Sequence, residues 1–204
     1  MQYIRDYIIA LQSTMDQLHS ESIANVIGIL QRARMQGNQV FIMGNGGSAS
    51  TASHFVCDLA KNTRRAGLPD FRVIGLADNM AILSAYANDE GYENVFSRQL
   101  ANLIRPGDVV IGISASGNSR NVTNAMEEAQ KHGVTTIGFT GFDGGRLGQM
   151  VSINIHVNSN VIEHVEDIHL MLEHIMVKTI KEEVGPETNR VTSIVKLTAD
   201  VVSD

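Results

Sequence analysis

The first 36 residues carry two stripes of apolar residues at the three- and four-residue spacing of a helix. The stripes consist of Tyr3, Ile4, Tyr7, Ile8, Leu11, Met15 and Leu18, and then of Ile23, Val26, Ile27 and Leu30. Ser20 or Ser22 can cap the second helix, and Gly37 with Asn38 ends it. We therefore predict two amphipathic helices. Because no strand precedes them, we expect their apolar stripes to contact other subunits.

From residue 39 onward, short apolar runs alternate with segments of helical periodicity. Predicted strands cover residues 40–43, 72–76, 109–113, 135–139 and 153–156. Predicted helices cover residues 50–61, 80–86, 93–103, 121–132 and 161–183. Continuous runs rich in β-branched residues are typical of strands that are buried on both faces. The alternation indicates an α/β fold with a doubly wound parallel sheet, in which ligands bind at the carboxyl ends of the strands.

The same pattern divides the chain into three parts. Residues 1–36 form a helical segment that we expect to mediate oligomerisation, and residues 37–184 form the α/β domain. Gly185 and Pro186 then stop the last helix. Residues 185–204 form a tail whose apolar residues favour a final packing helix or a partly ordered end.

Charge and cysteine content narrow the partners and the compartment. The chain has 16 Lys and Arg residues against 22 Asp and Glu residues, a formal net charge of −6 that argues against nucleic acid. Cys57 is the single cysteine, which excludes an internal disulfide and a cysteine zinc cluster, and we expect a buried structural thiol. No apolar run reaches the roughly 18 residues of a membrane span and no signal peptide is recognisable, so we predict a cytoplasmic protein with no membrane partner.

A glycine-rich turn directly follows the first predicted strand and precedes a helix. It consists of Gly44, Asn45, Gly46, Gly47 and Ser48. Glycines let backbone N–H groups approach an oxyanion, the helix N-terminus adds positive potential, and Ser48 offers a hydroxyl group. The spacing matches neither the dinucleotide fingerprint nor a Walker loop. Alone, this turn fits a strand–helix connection without a ligand as well as it fits a phosphate site.

A serine-rich turn occupies the equivalent place after the third predicted strand. It consists of Ser114, Ala115, Ser116, Gly117, Asn118 and Ser119. Helix capping accounts for one of the hydroxyl groups, whereas three of them beside a glycine at a helix start make a neutral phosphate cradle. Two such turns at the switch point of a doubly wound sheet favour a phosphorylated small molecule as the ligand.

Together with a third turn at residues 140–145, these motifs resemble the sugar isomerase (SIS) domain family. Within it they are similar to the phosphoheptose isomerase branch, over about residues 1–184 and including Ala87, Asn88, Asp89 and the histidine-bearing last helix. The resemblance implies a flavodoxin-like fold with a five-stranded parallel sheet. It also implies a cytoplasmic homotetramer with active sites between subunits, which interconverts sedoheptulose 7-phosphate and D-glycero-D-manno-heptose 7-phosphate through an enediol.

The resemblance also assigns the substrate contacts. Asn45 and Asp89 are expected to bind sugar hydroxyl groups. The residues expected to line the rest of the substrate site, chiefly around the phosphate, are Gly46, Gly47, Ser48, Ser114, Ala115, Ser116, Asn118 and Ser119.

The reacting end requires an acid/base pair, and two helices offer one. His54 and Asp58 are four residues apart on one helix face, and Glu166 and His174 are eight apart on the last helix. In the branch that the motifs resemble, the first pair is a metal-binding His and a catalytic Glu, and the second is a Gln and a His. The resemblance therefore implies Asp58 or Glu166 as the base and His174 as the acid partner. It further implies zinc or a similar divalent ion on His54, Asp58, Glu166 and His174.

Three positions depart from the pattern of the branch. Asp58 replaces Glu, Glu166 replaces Gln, and Asn62 replaces an arginine that often follows the carboxylate by one turn. Arg64 and Arg65 lie close by and could compensate, although surface exposure is the simpler interpretation of both. These changes bear on the identity of the substrate more than on the class of reaction.

Two interpretations without catalysis stay open. One is a SIS-domain protein that binds a protein partner, as a relative that associates with a replication initiator does, and the other is a sensor of sugar phosphates. The presence of His54, Asp58 and His174 favours an enzyme. No DNA-binding segment accompanies the predicted sheet, which disfavours the sensor.

Overall fold

The computed structural model describes residues 1–183 of the 204-residue chain. The elements follow in the order α1 (Gln2–Met15), α2 (Ser20–Gln36), β1 (Gln39–Met43), α3 (Gly47–Cys57), β2 (Arg72–Gly75), α4 (Met80–Glu90), α5 (Val95–Leu103), β3 (Val109–Ser114), α6 (Arg120–Lys131), β4 (Thr135–Thr140), α7 (Gly145–Met150), β5 (Ile153–His156) and α8 (Ile162–Glu183). A π-helical turn, Asp58–Asn62, continues α3, and a 3₁₀ turn, Tyr92–Asn94, precedes α5.

The five strands form one parallel sheet in the order β2-β1-β3-β4-β5. The order reverses between β1 and β3, so the topological switch point lies at the carboxyl ends of these two strands. All six residues of β3 are buried, as expected for a central strand that is covered on both faces. The predicted α/β class and doubly wound parallel sheet are confirmed.

Helices cover both faces of this sheet because side chains alternate along each strand. On β1, Val40 and Ile42 join the apolar cluster formed with α2, α3 and α8. Phe41 and Met43 point to the opposite face and join the cluster formed with α5 and α6. The face covered by α3 and α8 is the one that carries the predicted acid/base residues.

Some element boundaries differ from the sequence-based prediction. The helix predicted at 50–61 begins at Gly47 and ends in the π-helical turn, and α4 continues to Glu90. Helix α7 was not predicted, because Gly144, Gly145 and Gly148 disfavour a helix and no side chain caps it. All five predicted strands are present with ends that differ by no more than one residue.

The two leading helices have different environments. The expectation that both apolar stripes contact other subunits is wrong for α2, whose Val26 and Leu30 are fully buried in the core of the same chain. It packs against α8, β1 and β5 because the apolar side chains on this face of the sheet would otherwise be uncovered. Helix α1 instead exposes Tyr3, Ile4 and Ile9 and contacts the rest of the chain mainly through α8.

The contact between α1 and α8 centres on Tyr7. Its hydroxyl group donates a hydrogen bond of 2.6 Å to Asp167, and its ring packs edge-on against His164 at 4.4 Å. The hydrogen bond to Asp167 is the main cause that raises the pKa of Tyr7 to about 12. The predicted tail at 185–204 lies outside the described residues. Within residues 1–183, no helix combines the length and the apolar character needed to cross a membrane.

His169 of α8 is a buried imidazole beside β4. It is 1% exposed, and its Nε2 lies 3.3 Å from the backbone oxygen of Thr140. Burial lowers the pKa of His169 from 6.5 to about 4, against a smaller opposing effect of the contact with Thr140. The native protein therefore resists protonation at a pH where the unfolded chain accepts the proton.

We expect this difference to give His169 a destabilising contribution in mild acid. Between the unfolded pKa of 6.5 and the folded pKa of about 4, the unfolded state binds more protons, so stability falls with pH. The contribution of His169 at pH 5 relative to pH 8 is a loss of about 2 kcal/mol. The raised pKa of Glu173 acts in the opposite direction and does so in the wild type and in a His169 variant alike, so a comparison of the two isolates His169. Urea unfolding of the wild type and of His169→Gln at both pH values checks this, because the variant should lose less stability on acidification. An equal change in stability in both proteins would contradict it.

Candidate active site

The two predicted phosphate turns lie side by side at the switch point of the sheet. The amide groups of Asn45 and Asn121 pair reciprocally, each Nδ2 donating to the other Oδ1 over 2.8 Å. The hydroxyl group of Tyr92 also donates to Oδ1 of Asn45, at 2.9 Å. Sequence reasoning missed Asn121 and Tyr92. The signal for Asn121 was a polar residue in the first turn of the helix that follows the serines.

The serine-rich turn gathers its hydroxyl groups at the N-terminus of α6. Ser114 Oγ donates to Ser119 Oγ at 3.1 Å, and Ser116 Oγ accepts from the backbone N–H of Asn118 at 3.2 Å. Ser119 is the residue that precedes α6. Helices α3 and α6 therefore both begin at this edge of the sheet. The unpaired N–H groups and the positive potential of their N-termini suit an anion.

The third turn, residues 140–145, is hydrogen-bonded to the serine-rich turn through its backbone. The backbone N–H of Gly141 donates to the oxygen of Ala115, and that of Leu147 donates to the oxygen of Gly117, each at 2.8 Å. These bonds hold α7 and the third turn against the second turn. Their geometry gives the third turn a structural part in the site.

A second polar group lies at the far end of α3. His54, Asp58, Glu173 and His174 each present one potential ligand atom, and the four atoms lie within 4.8 Å of one another. The two imidazole rings meet edge to face with centroids 4.9 Å apart, and His54 Nε2 lies 3.8 Å from Asp58 Oδ2. The structure thus brings together three of the four residues that were expected to bind a metal.

Asp58 is held in place by its own turn of helix. It opens the π-helical turn, and its Oδ1 accepts a hydrogen bond of 2.7 Å from Asn62 Nδ2. The side chain is only 13% exposed. Asn62, one of the departures from the family pattern, therefore orients the carboxylate, and π-helical turns of this kind are frequent at functional sites.

Glu166 and Asp89 are not members of this group. Glu166 precedes Glu173 by seven residues, or about 10 Å along α8. Its carboxylate faces the first turn, since a Cβ atom added to Gly47 would lie 2.6 Å from Glu166 Oε1. Asp89 lies exposed near the end of α4, where it accepts a hydrogen bond from Asn88.

Glu173 is the residue that sequence reasoning missed at this end of α3. It is fully buried, and neither of its carboxylate oxygens has a hydrogen-bond partner. Burial, and then the neighbouring carboxylate of Asp58, raise the pKa of Glu173 to about 8. The signal was a glutamate inside the apolar stripe of α8, next to Leu172 and before Met176.

The donor set suits a divalent metal ion. Two imidazole nitrogens and two carboxylate oxygens are the ligands that zinc and similar ions accept, and the buried carboxyl group of Glu173 requires either a proton or a compensating cation. Cys57, expected to be buried, is exposed instead, because α3 turns this position away from the core.

Helix α3 connects the two ends of the site. Gly47 lies at the anion-binding turns and His54 at the polar group, seven residues or about 10 Å further along the helix. This arrangement can hold an anionic group at one end of an extended molecule and move protons at the other.

Comparison with known proteins agrees with this geometry. The SIS domain family model matches residues 2–141. A phosphoheptose isomerase from Aliarcobacter butzleri is 40% identical over 180 residues, which cover 82% of this chain and 94% of that protein. The structure of phosphoheptose isomerase from Neisseria gonorrhoeae matches with a TM-score of 0.80 and 30% identity, covering 88% of this chain and 95% of that one. The enzyme from Francisella tularensis matches with a TM-score of 0.81 and 28% identity, over 89% and 95% of the two chains. The chain therefore belongs to the SIS domain family and to its phosphoheptose isomerase branch.

Proposed function

We propose that this protein is an aldose–ketose isomerase that converts sedoheptulose 7-phosphate into D-glycero-D-manno-heptose 7-phosphate. The observation that carries the proposal is the pairing of anion-binding turns at one end of α3 with two histidines and two carboxylates at the other. The names of the similar proteins supply the substrate class.

In this proposal the phosphate binds at the two turns and fixes the orientation of the sugar. Ser48, Ser114, Ser116 and Ser119 offer hydroxyl groups, and the first N–H groups of α3 and α6 offer backbone donors. Asn45 binds a sugar hydroxyl group from the same edge. Holding the non-reacting end in this way converts the proton transfers into reactions within one complex.

Asp58 and His174 carry out the proton transfers. Asp58 takes the proton from the carbon next to the carbonyl group, and His174 gives a proton to the carbonyl oxygen, which yields the enediol. Return of a proton to the former carbonyl carbon, with loss of the proton from the hydroxyl group on the adjacent carbon, gives the aldose. Asp58 is favoured over Glu166 as the base because it lies in the same polar group as His174.

A divalent ion, which we propose to be zinc, completes the site. His54, Asp58 and His174 would hold it, and it supplies Lewis-acid polarisation of the substrate carbonyl when bound. The exposure of the two imidazole rings, 44% for His54 and 51% for His174, leaves an open side from which a substrate can approach.

We also propose that the protein is a homotetramer with active sites between subunits. The exposed apolar side chains of α1, among them Tyr3, Ile4 and Ile9, support an association through this helix. The open side of the His54–His174 pair leaves room for residues of another subunit.

The proposed function predicts turnover of a single ketose phosphate. Incubation with sedoheptulose 7-phosphate should yield the aldoheptose 7-phosphate, detected by chromatography or NMR, and removal of metal with a chelator should lower the rate. Re-addition of zinc should restore it. Sedoheptulose lacking the phosphate serves as the control substrate and should react far more slowly. Absence of turnover with any ketose phosphate would contradict the proposal and favour a binding protein.

A further inference from the structure

Glu173 occupies a position that apolar residues should fill. The residues next to it and one turn further along α8 are Leu172, Met176 and Val177, all buried in the apolar cluster. A carboxylate there, with both oxygens lacking hydrogen-bond partners, is unfavourable unless another group compensates its charge. Neither the sequence motifs nor the family resemblance gives this residue a role.

The groups around Glu173 show where compensation would come from. Its Oε2 lies 3.3 Å from Nε2 of His174, and its ligand atom lies within 4.8 Å of those of His54 and Asp58. Two carboxylates that converge on one point repel each other unless a proton or a cation lies between them. Two imidazole nitrogens at the same point complete the coordination of such a cation.

Glu166, by contrast, faces a different place. Its carboxylate lies against Gly47 at the N-terminus of α3, where the positive end of the helix stabilises it. Glu166 precedes Glu173 by about 10 Å along α8, and it does not belong to the group whose ligand atoms converge at the end of α3. Glu166 therefore lies outside the group of potential ligands, whereas Glu173 belongs to it.

We infer that Glu173, rather than Glu166, is the second carboxylate ligand of the divalent ion, which is then bound by His54, Asp58, Glu173 and His174. This inference rests on the metal-binding part of the proposed function and changes which residues form the site. In this arrangement α3 and its π-helical turn contribute one imidazole and one carboxylate, and α8 contributes an adjacent pair of the same kind.

The test is a calorimetric titration of full-length, chelator-treated protein with Zn²⁺. Elemental analysis then gives the amount of bound metal. Glu173→Gln keeps the shape of the side chain and removes its charge, so zinc affinity should fall by at least about 30-fold. Glu166→Gln makes the same chemical change on the same helix and should bind zinc as the wild type does. The visible absorption spectrum of bound Co²⁺ reports the ligand set. This spectrum should change in Glu173→Gln and stay unchanged in Glu166→Gln.

A second variant guards against a failure of Glu173→Gln to fold. Glu173→Leu suits the apolar surroundings, so its metal-free form should melt at a higher temperature than the metal-free wild type. Zinc should raise the melting temperature of the wild type but not of this variant. Wild-type zinc affinity in a folded Glu173 variant, or its loss in Glu166→Gln, would overturn the inference. A wild type that binds no zinc would refute the metal site itself, and the turnover assay would still decide the isomerase function.

Discussion

Replacing Asp58 by asparagine should lower kcat for isomerisation by about 10²–10⁴-fold, the usual contribution of a general base. The asparagine keeps an oxygen that can accept the hydrogen bond from Asn62, so the π-helical turn should stay intact. The phosphate turns lie about 16 Å from Asp58 along α3 and its π-helical turn, and KM should therefore change much less than kcat. Rates measured over a range of substrate concentrations separate the two parameters.

Asp70→Asn is the matched control for this variant. Asp70 is 53% exposed and pairs with Arg64 on the surface, outside the polar group at the end of α3. Its substitution should leave kcat unchanged. Bound zinc is measured in both variants, because Asp58 is also a proposed ligand and loss of metal alone would lower the rate. Nearly unchanged turnover in Asp58→Asn would exclude this residue as the base and return the role to Glu166.

The largest effect on stability is expected for Gly117→Ala. Gly117 has a φ of +65°, and a Cβ atom added to it would lie 2.0 Å from the backbone oxygen of Gly144. An alanine there carries the cost of the left-handed conformation and also pushes the serine-rich turn away from the third turn. The free energy of unfolding should fall by at least about 3 kcal/mol.

Gly133→Ala isolates the two contributions. Gly133 has the same φ of +65°, but a Cβ atom there would meet nothing within 4 Å. Its replacement should cost only the conformational part, about 1–2 kcal/mol. Urea unfolding of both variants gives the difference, which is due to the close approach of the two turns. Equal destabilisation would mean that the third turn moves aside freely and does not support the serine-rich turn.

The sequence was sufficient to predict the sheet and the two phosphate turns because both depend on local patterns. Apolar runs mark buried strands, and glycine and serine clusters mark the turns that follow them. The switch point then follows from the strand order, which the doubly wound class restricts to few alternatives. Contacts across the turns, such as the pair of Asn45 and Asn121, were not predictable because 76 residues separate them.

The acid/base group shows where spacing along one helix stops being informative. A separation of eight residues between Glu166 and His174 places them on nearly the same face, but it does not say which part of α3 each one meets. The packing of α8 on α3 places Glu166 at Gly47 and Glu173 beside Asp58. The same limit applies to helix α2. Its amphipathic pattern predicted that one face is buried, but it did not indicate whether the same chain or another subunit covers that face.

The reciprocal hydrogen bonds between the amide groups of Asn45 and Asn121 join the two turns in the absence of a ligand. A crevice that is already assembled loses little side-chain entropy on binding, so the anion end accepts any compatible phosphate group with similar ease. Selection among sugar phosphates then falls to the length of the carbon chain. The distance along helix α3 from Gly47 to the polar group that begins at His54 is about 10 Å, and only a carbon chain long enough to span it brings its carbonyl group to that polar group.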